Sequence, residues 1–245
     1  MYYIDMHCHI VPGVDDGSPS IEESLKMLQM EHDDGVRTII MTPHFRRGMF
    51  ETPDEVIIRQ FNKLFDAASE KFPDMDLYLG REFHAYTDMM PDFTEHRKQV
   101  VTMGGSSYVL LEFNADKSLH YIKARCIALL DDGFQPIVAH IERYPNVVNK
   151  PEFVKELVRQ GVKIQVNASA LIGDDGWRLK NFCKLLLKEG LIDFVGTDSH
   201  STKKRVPNLG KAVKYVKRKA GEDAVERIFY ENPMRIIDDI PEDDE

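Results

Sequence analysis

The chain is poor in cysteine, in tryptophan and in long apolar runs. Three cysteines in 245 residues are too few, and odd in number, for a disulfide framework, which suits a reducing cytoplasm. No stretch approaches the ~18 uninterrupted apolar residues of a membrane span, so no direct membrane insertion is expected. The opening Met1-Tyr2-Tyr3-Ile4-Asp5 has neither the basic nor the apolar region of a secretory leader. Basic residues are outnumbered by acidic ones, 32 to 41, for a formal charge of −9. Non-specific nucleic-acid binding draws on clustered Lys and Arg, so no nucleic-acid partner is expected. Several catalytic signatures are missing too: a Gly-x-Ser-x-Gly elbow, a Walker loop, and a dinucleotide fingerprint after the first strand. A cysteine-dependent phosphatase needs an arginine six positions after its nucleophile; Cys8, Cys126 and Cys183 are followed there by Val14, Asp132 and Glu189. Cys126 and Cys183 read instead as small buried hydrophobes on helices.

What remains is a chain of ordinary globular composition, 42% hydrophobic, long enough for one large domain or two small ones. No repeat, linker or composition break divides it, which favours one domain over residues 1–237. The last eight residues, Asp238 to Glu245, hold six acids and no base; an acidic, frayed tail is expected there.

Short apolar runs alternate with segments of helical period. Strands are predicted at Tyr2–Met6, Thr38–Thr42, Leu77–Gly80, Tyr108–Glu112, Pro136–Ala139, Lys163–Val166 and Phe194–Thr197. Helices are predicted near Ile21–Asp34, Pro53–Lys71, Leu119–Asp132, Pro151–Gln160, Trp177–Lys188, Leu209–Lys219 and Ala224–Tyr230. Ser20 with Glu23 reads as a capping box, Pro53 and Pro151 suit a first helical turn, and Gly35, Gly133, Gly161 and Gly190 fall where a left-handed helix end is wanted. Strand–helix alternation with continuously apolar strands implies an α/β fold with parallel strands, and leaves a barrel and an open sheet both possible. Residues 84–103 are the least regular stretch, with room for a short helix only.

The histidines and carboxylates fall at the strand ends. His7 and His9 follow the first strand, His44 the second, Glu82 the third; Glu112 ends the fourth, His140 follows the fifth, and Asp198 and His200 follow the seventh. In a barrel such ends converge on one face. Ligand-type residues at six of seven strand ends point to a metal site, and imidazole with carboxylate suits Mn, Fe or Zn. His7-Cys8-His9 places two imidazoles two residues apart, on one face of a strand. Asp5, two residues earlier, reads either as a carboxylate that orients an imidazole or as a solvated strand-entry residue. Asp15-Asp16-Gly17 reads as a turn or as the source of one further ligand. Met49-Phe50 suits either a helix-entry staple or an aromatic wall for a substrate ring.

These residues carry a family resemblance. His7-Cys8-His9 with Asp15-Asp16-Gly17, Thr42-Pro43-His44, Gly80-Arg81-Glu82, Leu111-Glu112-Phe113, Ala139-His140-Ile141-Glu142-Arg143 and Thr197-Asp198-Ser199-His200 resemble the polymerase-and-histidinol-phosphatase (PHP) superfamily. Within it, Gly48-Met49-Phe50-Glu51-Thr52-Pro53 and the run His140–Tyr144 are similar to the manganese-dependent protein-tyrosine phosphatases of bacterial capsule and exopolysaccharide loci. The resemblance implies a distorted (β/α)7 TIM-like barrel with three divalent metal ions, Mn2+ foremost and Fe or Zn as alternatives. It implies one metal on His7, His9, Glu82 and Asp198, a second on Glu112 and His140 with Glu82 bridging, and a third on His44, His200 and Asp16. Arg143 and Arg205 match phosphate-binding positions, whereas Phe45 departs from the polar residue common after the histidine and leaves open which of Arg46 and Arg47 faces the substrate. The implied activity is phosphotyrosine hydrolysis by a metal-activated hydroxide, with Glu112, Arg143 and Arg205 in the catalytic set. The implied partner is the phosphotyrosine tail of a membrane-associated tyrosine kinase, reached from the cytoplasm at the inner membrane face. Alternatives are a histidinol-phosphate phosphatase, a nuclease, and a non-catalytic metal-binding regulatory subunit.

Overall fold

The computed structural model describes residues 1–94, 102–148 and 150–241. Nine strands are found among them: β1 (Tyr3–Cys8), β2 (Val36–Met41), β3 (His44–Phe45), β4 (Asp76–Leu79), β5 (Glu82–His84), β6 (Tyr108–Glu112), β7 (Gln135–Val138), β8 (Lys163–Asn167) and β9 (Phe194–Gly196). Every pairing is parallel, in the orders β1-β2-β4 and β3-β5-β6-β7-β8-β9. The two strands beyond the predicted seven arise because the second and third are interrupted, at Thr42-Pro43 and Gly80-Arg81. Pro43 has no N–H to give to a ladder. The break is still stitched: Gly80 N–H donates to the Met41 carbonyl at 2.7 Å and Glu82 N–H to that of Pro43 at 3.2 Å.

The sheet curls until its far edges meet. Asp198 N–H donates to the His7 carbonyl at 2.7 Å, and His9 N–H to that of Ser199 at 2.8 Å. This seam needs a glycine. A Cβ on Gly196 would lie 2.7 Å from that of His7, so only hydrogen lets the end of β9 approach β1. Strand residues alternate between two apolar clusters. Ile39, Met41, Val109, Leu111, Val138 and Val195 pack among the helices. Ile40, Leu110, Ile137 and Phe194 form the opposite cluster, with Met6, Met103 and Ile236.

The helices are α1 (Ile21–Asp33), α2 (Asp54–Lys71), α3 (Met90–Thr94), α4 (Leu119–Asp131), α5 (Pro151–Arg159), α6 (Ala168–Ile172), α7 (Trp177–Lys188), α8 (Leu209–Ala220), α9 (Glu222–Glu226) and α10 (Asn232–Asp238). Cys126 on α4 and Cys183 on α7 are buried. The four helix-ending glycines 35, 133, 161 and 190 all take positive φ. Only half of the predicted capping box forms: Ser20 accepts from Glu23 N–H at 3.3 Å, but the Glu23 carboxylate turns to Thr202, accepting from its N–H and hydroxyl at 2.8 and 2.7 Å. Pro53 is the residue before α2 rather than its first. The last predicted helix extends on, through a π-helical turn at Arg227–Glu231 into α10. Asp239, expected in a frayed tail, is tied down by the Ser107 N–H and hydroxyl at 2.7 and 2.6 Å; residues 242–245 of that tail lie outside the described residues. Of the irregular stretch, α3 is short as expected, and residues 95–101 lie outside the described residues.

Candidate metal centre

Nine predicted ligands, from seven separate segments, meet beside the strand ends. His7 Nε2 and His9 Nε2 lie 3.4 and 3.3 Å from Glu82 Oε2, and 3.6 and 3.4 Å from Asp198 Oδ1. These four atoms are buried; apart from Arg205 on Asp198 Oδ1 and His44 Nδ1 beside Glu82 Oε2, they face one another without a hydrogen bond. Lone pairs converging in a dry site are costly unless a cation stands among them. Metal–ligand bonds of about 2.1 Å at tetrahedral angles put ligand atoms about 3.4 Å apart, so the donor spacing fits a bound divalent cation.

Two further clusters of donors within 4.8 Å of one another adjoin the first: His9, Asp16, His44 and His200, and His44, Glu82 and Glu112. His44 therefore stands between them, its Nε2 3.5 Å from Asp16 Oδ1 and its Nδ1 2.9 Å from Glu82 Oε2. His140 Nε2 is 2.8 Å from Glu82 Oε1, and Glu112, which feels both His140 and His44, has its donor atom grouped with those of His44 and Glu82. Glu82 thus touches His7, His9, His44 and His140.

The electrostatics follow from this packing. Burial opposes a charged Glu82, but His7, His44 and His140 overcome it and hold its carboxyl well below the usual range. Asp198 is held down in the same way, by His7, His9 and Arg205. Burial, and then the neighbouring Glu82, push Glu112 up. Burial and the nearby His9 bring His200 down to about 4, so it is an unprotonated donor at neutral pH.

Both predicted arginines reach the cluster through Asp198. Arg143 Nη1 is 2.9 Å from Asp198 Oδ2; Arg205 pairs with Oδ1 and approaches His200 Nε2 at 2.8 Å. His140, Asp198 and Arg205 are the non-glycine residues with positive φ among those described, at 32°, 52° and 50°. Such backbone costs about 1–3 kcal/mol per residue and persists where surrounding structure holds it. All three belong to the centre.

Neighbouring residues divide the remaining expectations. Arg46 turns toward the centre, donating to Asn114 at 2.8 Å, whereas Arg47 stacks over Tyr86 at 3.8 Å. Phe50 stacks on His44, with centroids 5.1 Å apart and planes 11° from parallel. Met49 is exposed. Asp5 is fully buried and takes N–H bonds from Thr197 and His7 at 3.0 and 3.3 Å; it locks the β1 seam and is not a solvated entry residue. Asp15, rather than Asp5, orients an imidazole, at 2.7 Å from His9 Nδ1.

Over residues 3–238 the chain matches the family model described as capsular polysaccharide synthesis, CpsB/CapC. The chain belongs to this CpsB/CapC family. It is 35% identical to tyrosine-protein phosphatase CpsB of Streptococcus agalactiae serotype III (strain NEM316), over 96% of this chain and 98% of that protein. It is 28% identical to tyrosine-protein phosphatase YwqE of Bacillus subtilis (strain 168), over 90% and 86%. A solved chain from the crystal structures of YwqE from Bacillus subtilis and CpsB from Streptococcus pneumoniae, called metal-dependent tyrosine phosphatases, matches with a TM-score of 0.83. Its identity is 27%, and the match covers 96% of this chain and 91% of that one.

Beside the ligands, this CpsB/CapC chain uses amides that were missed in its sequence. Gln165 Oε1 accepts from His140 N–H at 2.6 Å and lies 3.3 Å from His7 Nδ1. Asn167 donates to Asp198 Oδ2 at 2.8 Å. Their signal is the alternation Lys163-Ile164-Gln165-Val166-Asn167, polar every second residue in a strand otherwise apolar. No helix among the described residues is long and apolar enough to cross a membrane.

Proposed function

We propose that this chain is a metal-dependent protein-tyrosine phosphatase that acts on the phosphotyrosine tail of a membrane-associated tyrosine kinase in capsule or exopolysaccharide synthesis. The observation that carries the reading is the buried quartet His7, His9, Glu82 and Asp198, whose donor atoms converge within 3.6 Å of one another across the imidazole–carboxylate pairs, with two arginines on Asp198. We read the curled sheet as a distorted (β/α)7 barrel of the PHP type, in which β2 with β3, and β4 with β5, each count as one interrupted strand.

Three cations, Mn2+ foremost, would be held by His7, His9, Glu82 and Asp198; by Glu82, Glu112 and His140 or His44; and by His44, His200 and Asp16. Bound there, they supply Lewis acidity that offsets the charge of a phosphate dianion and activates water. Arg143 and Arg205, anchored on Asp198, would take the equatorial oxygens and stabilise charge where it develops. Glu112, raised by burial and by Glu82, would join the catalytic set as a ligand beside Glu82. A tyrosinate, with a pKa of about 10, leaves with less help from an acid than an alkoxide needs.

The test is a substrate panel on protein loaded with Mn2+. Phosphotyrosyl peptide is expected to turn over, with histidinol phosphate and single-stranded DNA turned over at least about 100-fold more slowly. Preferential hydrolysis of histidinol phosphate, or no hydrolysis of the peptide, sinks the reading.

A further inference from the structure

The chain carries −9 overall, yet residues 199–221 hold eight cations and no carboxylate: Lys203, Lys204, Arg205, Lys211, Lys214, Lys217, Arg218 and Lys219. All eight are exposed. The first three lie in the loop that brings Arg205 to the centre. Lys211, Lys214 and Arg218 follow on α8 at spacings of three and four, hence on one helix face.

That face lines a recess. A cavity of ≈ 360 Å³ is bounded by Lys180, Lys211, Lys214, Arg218 and Tyr215, with Asp174 as its one acid. Asp174 also lines a second cavity, of ≈ 170 Å³, that opens on Arg143, Asp198 and Arg205. The two cavities meet at Asp174, with Asp175 beside it on the inner side, so the path from the metal centre passes these two acids and then runs along the cationic track of α8. Among the described residues Lys203, Lys204, Lys211 and Lys214 form no ion pair. Uncompensated like charges along a recess attract a partner of opposite sign.

We propose that this track docks an acidic stretch of the polypeptide substrate that flanks its phosphotyrosine. The proposal rests on the phosphatase reading and adds the substrate's sequence class. Lys211 to Arg218 covers about 10 Å of helix, which an extended chain crosses in about three residues. The path starts where the phosphate would be held, so a chain seated there by its phosphotyrosine lays its flank along it. The cations line a shallow recess beside Tyr215, within reach of a peptide held by its phosphotyrosine at the centre.

The experiment compares phosphotyrosyl peptides that differ only in a run of Glu or Ser residues, placed on either side of the tyrosine, using wild type and the double variant Lys211→Glu/Lys214→Glu loaded with Mn2+. Wild type is expected to favour one acidic peptide about fivefold or more at low salt, through KM, and to lose that preference near 0.5 M salt, where screening acts within about 5 Å. The double variant is expected to lose the preference at low salt with kcat retained, which also reports an intact fold. Equal KM values for acidic and neutral peptides in wild type, or a preference that survives in the variant, overturns the proposal. Loss of binding to phosphatidylglycerol vesicles in the variant, with peptide preference intact, assigns the face to a lipid surface and overturns it as well. Failure to hydrolyse either peptide sinks the phosphatase reading itself, a result distinct from equal hydrolysis of both.

Discussion

His9 and Asp15 form a fixed pair: His9 Nδ1 lies 2.7 Å from the Asp15 carboxylate, which also accepts the His44 backbone N–H at 2.9 Å. The bond commits the Nδ1 proton and leaves Nε2 free to face Glu82 and Asp198. One carboxylate thereby aims one imidazole and places the backbone of another. Asp15→Ala is expected to weaken metal binding about 10- to 100-fold, as loss of a ligand-orienting partner does, with secondary structure unchanged. Titration with Mn2+ followed calorimetrically measures it; unaltered affinity and stoichiometry would show that His9 needs no support.

Glu82 is the carboxylate on which the imidazoles of β1, β3 and the segment after β7 meet. It lies 2.8 Å from His140 and 2.9 Å from His44. Glu82→Gln keeps the shape and removes the charge that holds these donors together. Turnover is expected to fall more than about 100-fold with loss of bound metal. His140→Ala is expected to lose metal and most turnover while remaining folded. Full activity of either variant in excess Mn2+ would remove that residue from the centre.

Much of this architecture was legible because its signals are local. The first, fourth and fifth predicted strands lie within two residues of β1, β6 and β7, since a buried parallel strand is a short apolar run between turns. The interrupted strands were not legible, because β3 and β5 span two and three residues and depend on pairing with each other. The ligands stood out as charged groups at apolar strand ends. Gln165 and Asn167 did not, since an amide in a strand carries no mark of the metal ligand it steadies. Asp15 and Asp16 are adjacent and of one type; only the turn at Gly17, where a Cβ would meet the His9 carbonyl oxygen at 2.2 Å, decides which faces inward.

Gly196 sets how closely β9 approaches His7. An added methyl would sit 2.7 Å from His7 Cβ, against a seam fixed by the bond from Asp198 N–H to the His7 carbonyl. Gly196→Ala is expected to cost about 1–3 kcal/mol through overpacking, a fall in Tm of about 2–12 °C for a chain of this size. Because the displaced residue is a ligand, metal affinity should fall with it. Thermal unfolding with and without Mn2+ separates the two effects: a variant as stable as wild type in both conditions contradicts the close approach.

Glu142 gives the pH dependence of stability a definite sign. Its Oε1 accepts Asn167 N–H at 3.0 Å, its Oε2 is buried without a partner, and burial pushes its carboxyl up to about 8. In the unfolded chain a glutamate titrates near about 4.3. Between those values the native state holds a proton that the unfolded state has released, so this residue's contribution to stability declines as pH rises from the lower value and levels off above about 8. Glu142→Gln preserves the acceptor for Asn167 and abolishes the titration. The Tm of the variant relative to wild type is expected to increase steadily from pH 5 to pH 8 and then level off. A difference that stays constant across that range would mean that Glu142 is ionised in the folded protein.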